Sequence, residues 1–167
     1  MKKLVLYNHG KESEPWGAKP LAFADVAKRH GYTVESPDYR EEMDPDERVN
    51  ILLAMDLSGY DEIVLMGSSM GAYVATVAAQ TIKPKGLFLL APAFYLPGYR
   101  KTEFDPPADR TRVFHGWMDD VVPPDNAWRF CQRYRIRLNM LDADHRLMAV
   151  LPELVYEFDR FLSEYLG

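Results

Sequence analysis

The amino-acid sequence predicts an α/β fold: a mainly parallel sheet of about six strands with helices on both faces. Two observations carry that expectation. Short apolar runs of strand length alternate along the chain with stretches of helical periodicity, and no internal repeat or low-complexity tract interrupts them. Most of those runs are nearly continuous in apolar residues, as strands must be when right-handed crossovers cover both faces of a sheet. The length of 167 residues is that of one domain, expected over residues 1–167, and leaves no room for a separate cap domain.

Residues 3–8, Lys3 to Asn8, form a short apolar run ending at His9-Gly10, which reads as a buried strand meeting a turn. Pro20 suits the first turn of a helix through Leu21, Ala24 and Ala27, with Gly31 as its stop. Tyr32 to Glu35 is a second strand, closed by Pro37. Asp44-Pro45-Asp46-Glu47 combines an N-cap, a proline at the first helical position and a capping-box glutamate, and the helix that follows is expected to bury Val49, Leu52 and Leu53. Ile63 to Met66 is a third strand. Gly67 to Gly71 turns from it into a helix, Ala72 to Gln80, whose small residues allow close approach to a sheet. Gly86 to Leu90 is the fourth strand, and Pro92 to Asp109 reads as an irregular excursion over one end of the sheet. Arg112 to His115 is a fifth strand. Ala127, Phe130, Cys131 and Tyr134 share one face of a helix over 125–134, so Cys131 is expected in the core. Arg135 to Leu141 alternates as an edge strand does, and a closing helix from about Pro152 carries Leu154, Val155, Phe158 and Leu162 on one face.

Composition narrows the function classes. Twenty Lys and Arg against 25 Asp and Glu leave a net charge of −5, which argues against nucleic acid as a partner because phosphate binding needs a basic field. A single cysteine forms no internal disulfide, the N-terminus lacks a secretory apolar region, and no apolar run approaches the ~18 residues of a membrane span. The expectation is a cytoplasmic protein without membrane partner, metal or cofactor.

In folds of this class, ligands bind beyond the C-terminal ends of the strands. There, Gly67-Ser68-Ser69-Met70-Gly71 matches G-x-S-x-G between a strand and a helix. A sharp turn at that place strains the central residue, and flanking glycines relieve the clashes while its hydroxyl stands above the sheet. A serine hydroxyl needs a histidine base, and the histidine needs a carboxylate to fix its tautomer. Of four histidines, His30 sits at a helix end, while His9 and His115 end strands before Gly and read as orienting or packing groups. His145 follows the last strand and is the candidate base. Asp119 is preferred to its neighbour Asp120 as the acid on strand-to-loop spacing, while Asp142 and Asp144 lie too close to His145 in sequence to be favoured. Trp16, Phe94, Tyr95, Trp117, Met118 and Leu147 fall in loops at the same end, with His9 beside them, and form either a partly apolar substrate mouth or a cap on the core.

His9-Gly10, the pentapeptide 67–71, the run His115-Gly116-Trp117-Met118-Asp119-Asp120-Val121-Val122-Pro123 and Asp144-His145 together resemble the α/β-hydrolase superfamily over nearly the whole chain. Gly67 to Ala75 is most similar to the small, capless YqiA-like esterases. The chain departs from that pattern at Lys11, where the family often has an apolar residue, and at Ala72, where it often has a further glycine. The resemblance implies Ser69 as nucleophile, Asp119 as acid and His145 as base. It further implies an oxyanion hole made by the N–H of Met70 and that of Lys11 or Gly10. The implied activity is hydrolysis of a small carboxylic ester through an acyl-enzyme. Amide or thioester hydrolysis and a non-catalytic binding role on the same fold are the alternatives, and a homodimer stays open.

Overall fold

A computed structural model describes residues 1–167. It contains one six-stranded sheet in the order β2-β1-β3-β4-β5-β6, formed by β1 (Lys3–Asn8), β2 (Tyr32–Glu35), β3 (Glu62–Ser68), β4 (Gly86–Leu90), β5 (Thr111–Gly116) and β6 (Arg137–Leu141). Every neighbouring pair is parallel. All strand C-termini therefore lie along one edge, with the order reversing beside β1 and β3. The register pairs Asn8 with Gly67 and Ser68 with Leu90, so the end of β3 is flanked by the ends of β1 and β4.

Helices α1 (Ala18–Arg29), α2 (Pro45–Leu53), α3 (Met70–Ile82), α4 (Pro124–Tyr134) and α5 (Leu151–Arg160) cover the sheet. One face packs Leu4, Leu6, Leu65, Leu87, Leu89 and Val113 against α2, α3 and α4, with Cys131 buried among them. The other packs Val5, Val64, Met66, Phe88 and Phe114 against α1 and α5, where Phe23, Phe158 and Phe161 surround Phe88. Central strands with both faces covered are the reason their sequences are apolar without alternation.

Several local expectations are corrected. Helix α1 starts at Ala18 after Gly17, which puts Pro20 in its first turn as expected, but other details differ. The Asp44 carboxylate caps α2 by accepting from the Asp46 and Glu47 N–H groups, but the reciprocal acceptor for the Asp44 N–H is Glu42 rather than Glu47. Leu53 is 38% exposed, because the buried stripe of α2 runs through Pro45, Arg48, Val49 and Leu52. Arg135 ends α4 in a left-handed conformation (φ 57°), which delays β6 to Arg137. Residues 92–109 do not stay at one end of the sheet. They form the β4–β5 crossover: Phe94 stacks on Phe130 at 4.1 Å, Phe104 packs against both, and the Lys101 N–H donates to the Tyr73 hydroxyl of α3. The chain beyond Arg160 widens into a π-helical turn, Phe161–Tyr165, closed by the Leu166 N–H on the Phe161 carbonyl, that keeps Phe161 and Leu162 buried. Only residues 117–123 separate β5 from α4 and residues 142–147 precede the turn into α5, so no cap is inserted above the strand ends.

Candidate active site

Ser69 sits between β3 and α3 with φ 55° and ψ −116°, a conformation that side-chain-bearing residues adopt only when the surroundings enforce it. The surroundings here are backbone. A Cβ on Gly71 would come within 1.8 Å of the Asn8 carbonyl oxygen, and one on Gly67 within 2.3 Å of the Gly71 oxygen. The flanking glycines thus let α3 start directly against the end of β1, and the Ser69 N–H and C=O are tied to Leu90 and Ala93. Ser69 is half-buried, whereas Met70 behind it is buried as the first residue of α3. An N–H at that position has no partner within its helix.

The ends of β5 and β6 supply the other two groups. A Cβ on Gly116 would lie 2.2 Å from the Ala143 oxygen, and the Trp117 and Met118 N–H groups donate to Leu141 and Ala143, so the two following loops are zipped together. That contact brings the His145 Nδ1 to 2.7 Å from Asp119 Oδ2, while His145 Nε2 lies 2.9 Å from Ser69 Oγ. Asp119 Oδ1 accepts from the N–H groups of Val121 and Val122. Burial alone would raise the Asp119 carboxyl, but His115, His145 and those two N–H groups overcome it and hold the group well below the ordinary carboxylate range. It is an anion throughout the neutral range, suited to orient an imidazole and stabilise its protonated form. Asp120 is exposed, and Asp144 spends its carboxylate on the Arg146 N–H.

Across from the serine, Gly10 and Lys11 follow β1, and neither N–H donates to any acceptor of the protein. A Cβ on Gly10 would be 3.7 Å from Ser69 Cβ, so this turn borders Ser69. His9 is fully buried; its Nδ1–H donates to the Gly10 carbonyl at 2.8 Å and its Nε2 accepts from the Tyr39 N–H at 2.8 Å. Burial holds its imidazole below the usual range, against the pull of the Gly10 carbonyl.

The expected mouth residues divide. Trp16, Trp117 and Met118 are 42%, 64% and 61% exposed. Tyr95 is half-buried beneath the Arg129 guanidinium, 3.9 Å from its ring centre. Phe94 and Leu147 are completely buried in the two cores, and His9 is enclosed by Tyr39, so these three do not line an open surface. Near residues 92–109, Arg100 pairs with Asp44 and Asp46, and Arg112 at the start of β5 lies over Tyr165.

Three side chains around the site escaped sequence reasoning. Lys19 donates to Ser68 Oγ and to the Arg146 carbonyl, each at 3.0 Å, bridging the Ser69 turn and the His145 loop; burial, with Arg146 nearby, pulls its ammonium down to about 8. Tyr39 closes over His9, its hydroxyl donating to Asn8 Oδ1. Arg48 is buried behind residues 9–11. Its place three residues after Pro45 and four before Leu52 put a charge on the apolar stripe of α2, which is a signal the sequence did contain. No cluster of His, Cys, Asp and Glu is placed to hold a metal ion, and no helix is long and apolar enough to cross a membrane.

Comparison with known proteins places the fold. The model of the uncharacterised protein family UPF0227 matches residues 4–106, more than half of the chain. No curated protein matches it. A crystal structure of a protein of the alpha/beta hydrolase superfamily from Xanthomonas campestris pv. campestris is 29% identical, with a TM-score of 0.86 over 95% of this chain and 97% of that one. An esterase from Pyrococcus furiosus is 19% identical, with a TM-score of 0.81 over 99% of this chain and 83% of that one. An α/β serine hydrolase without lid from Xanthomonas campestris is 20% identical, with a TM-score of 0.71 over 99% of this chain and 83% of that one. The fold is that of the α/β-hydrolase superfamily without a cap.

Proposed function

We propose that this chain, which belongs to the uncharacterised protein family UPF0227, is a serine hydrolase that cleaves small carboxylic esters through an acyl-enzyme on Ser69. The observation that carries the reading is the continuous line from Ser69 Oγ through His145, at 2.9 Å and 2.7 Å, to a buried Asp119. The esterase and serine-hydrolase descriptions of its structural neighbours are in keeping with it.

In this mechanism Ser69 Oγ attacks the ester carbonyl carbon as its proton passes to His145 Nε2. The carbonyl oxygen becomes an oxyanion facing the N–H of Met70 and those of Gly10 and Lys11. Collapse breaks the bond to the leaving alkoxide, which takes the proton from His145. Water, deprotonated by His145, then attacks the acyl carbon and releases the acid and the free serine. Asp119 holds the Nδ1–H throughout, so the imidazole presents Nε2 to the serine and is stabilised when charged. Without a cap, the half-buried serine suits small or accessible esters, with Trp117 and Met118 offering apolar surface at the rim.

The test is covalent labelling by a fluorophosphonate read by intact mass, beside turnover of a short-chain aryl ester. Wild-type protein gains one adduct, and Ser69→Ala gains none and loses about 10⁴-fold or more in turnover. Undiminished labelling or turnover in Ser69→Ala would reject the assignment, and an inert wild type would favour the binding-protein alternative.

A further inference from the structure

We infer that Arg48, outside the Ser69–His145–Asp119 line, is a positioning residue that aims the N–H groups of Gly10 and Lys11 at the oxyanion; the inference rests on the acyl-transfer reading above. Arg48 is wholly buried on α2. All four of its hydrogen bonds end on main-chain carbonyls: Nε to Glu42 at 2.6 Å, Nη1 to His9 at 3.2 Å and Gly10 at 3.1 Å, and Nη2 to Lys11 at 3.3 Å. A buried cation satisfied only by neutral carbonyls is costly, and an apolar side chain of similar volume would fill the space without that cost. Packing alone does not account for an arginine here.

The peptide geometry supplies the account. In a trans peptide the C=O and the following N–H point in opposite directions. Holding the His9 carbonyl therefore turns the Gly10 N–H away from Arg48, and holding the Gly10 carbonyl does the same for the Lys11 N–H. Those two N–H groups have no acceptor in the protein, and Gly10 borders Ser69, a Cβ on it lying 3.7 Å from the Ser69 Cβ. The fork thus grips three consecutive carbonyls from behind while the donors face the reacting carbon. Its positive charge also polarises both peptides in the sense that strengthens their N–H groups toward an anion. His9 Nδ1 and Arg48 Nη1 share the Gly10 carbonyl, and Tyr39, whose ring lies 5.4 Å from the guanidinium, holds the other side of His9. The orientation is set before substrate arrives, which is the condition for a donor to act on the transition state rather than on the substrate.

The experiment compares wild type, Arg48→Lys and Arg48→Met on a short-chain aryl ester, with circular dichroism to score folding and a trifluoromethyl ketone as tetrahedral-adduct probe. Arg48→Met should lose at least about tenfold in kcat, up to the ~10²-fold typical of a lost oxyanion donor, with KM changed less than about threefold. Arg48→Lys, which keeps the charge but not the three-carbonyl grip, should fall between the two. Inhibition by the ketone should weaken in proportion to kcat/KM across the three proteins, a correlation that general loosening of the fold does not produce. A folded Arg48→Met within about threefold of wild-type kcat/KM, or a loss confined to KM, overturns the inference. Amide NMR of the wild-type protein makes the decision independent of variant folding: the Gly10 or Lys11 proton moves downfield when the ketone adds to Ser69, and the inference fails if neither moves. A wild type that neither turns over nor forms a Ser69 adduct overturns the acyl-transfer reading together with this one; unmoved amides in a wild type that does form the adduct remove Gly10 and Lys11 from the oxyanion hole along with the role of Arg48, and failure in the variants alone overturns only the role of Arg48.

Discussion

His115 Nε2 stands 3.1 Å from Asp119 Oδ2, the oxygen that also receives His145 Nδ1 at 2.7 Å, so the Asp119 carboxylate is held by two imidazoles. The His115 Nε2–H hydrogen-bonds the Val122 carbonyl at 2.9 Å, while its Nδ1 is buried without a partner. Replacing it with Phe therefore removes the contact to Asp119 without stranding anything at Nδ1. Leaving Asp119 and Val122 undersatisfied should cost about 1–3 kcal/mol of stability by denaturant melt. Without this donor the Asp119 carboxyl should lie closer to the ordinary carboxylate range, so stability should fall less steeply below about pH 4 in His115→Phe than in wild type. An equally steep fall would show that His115 only packs.

The neighbouring carboxylates should separate cleanly. Asp119→Asn keeps the shape of the site but replaces an acceptor by an amide beside His145 Nδ1, and kcat should fall by about 10⁴ through loss of the productive tautomer. Asp120→Asn changes an exposed side chain and should stay within about twofold of wild type. Equal losses in the two variants, measured on the same aryl ester, would contradict the assignment of the acid.

Asp119 also governs acid stability. Its carboxyl titrates lower in the folded protein than in the unfolded chain, so its contribution is complete above the unfolded value of about 3.9 and is lost as pH falls toward the folded one. Denaturant melts from pH 6 downward should show wild type losing stability more steeply below about pH 4 than Asp119→Asn does. Parallel slopes for the two proteins would mean that Asp119 is not held as an anion by its partners.

Lys19 acts at the other end of the scale. Its ammonium titrates at about 8 in the folded protein, mainly through burial, against about 10.4 when unfolded. Between those values the unfolded chain binds the extra proton, so this residue's contribution to stability rises with pH through the window and is flat below it. Comparing wild type with Lys19→Met by denaturant melts at neutral and alkaline pH should reveal that rise only in wild type. Loss of the links to Ser68 Oγ and the Arg146 carbonyl should also lower activity in Lys19→Met, because the His145 loop loses its tie to the Ser69 turn.

Two glycines near Ser69 should respond in opposite ways. Gly71→Ala forces a Cβ to 1.8 Å from the Asn8 carbonyl, an overlap relieved only by moving α3 off β1, and soluble expression should collapse. Gly10→Ala meets nothing nearer than 3.5 Å and carries no positive φ, so stability should hold within about 1 kcal/mol. A Gly71→Ala protein with an unchanged melting temperature would contradict the packing described for the turn.

The strands, the alternation that makes them parallel and the serine turn were legible because they depend on local patterns: Ile63 to Met66 is apolar without alternation, and Gly67 and Gly71 stand where backbones meet. The candidate line was also legible in outline, since Ser69, Asp119 and His145 each follow a strand and parallel strands deliver their ends to one edge. Strand-to-loop spacing favours Asp119 over Asp120, but what holds that carboxylate inward is only partly local. The Val121 and Val122 N–H groups grip it from its own loop, whereas His145 and the Gly116 contact with Ala143 reach it only because β5 pairs with β6. Aromatic and apolar loop residues likewise carried no sign of direction: Phe94 and Leu147 went into the cores, while Trp117 and Met118 stayed in solvent. Arg48 shows the same limit most sharply. Its position on the apolar stripe of α2 could be read in one dimension, but the carbonyls that make burial of its charge tolerable belong to a turn 37 to 39 residues away in sequence, and only the folded chain sets them opposite the guanidinium.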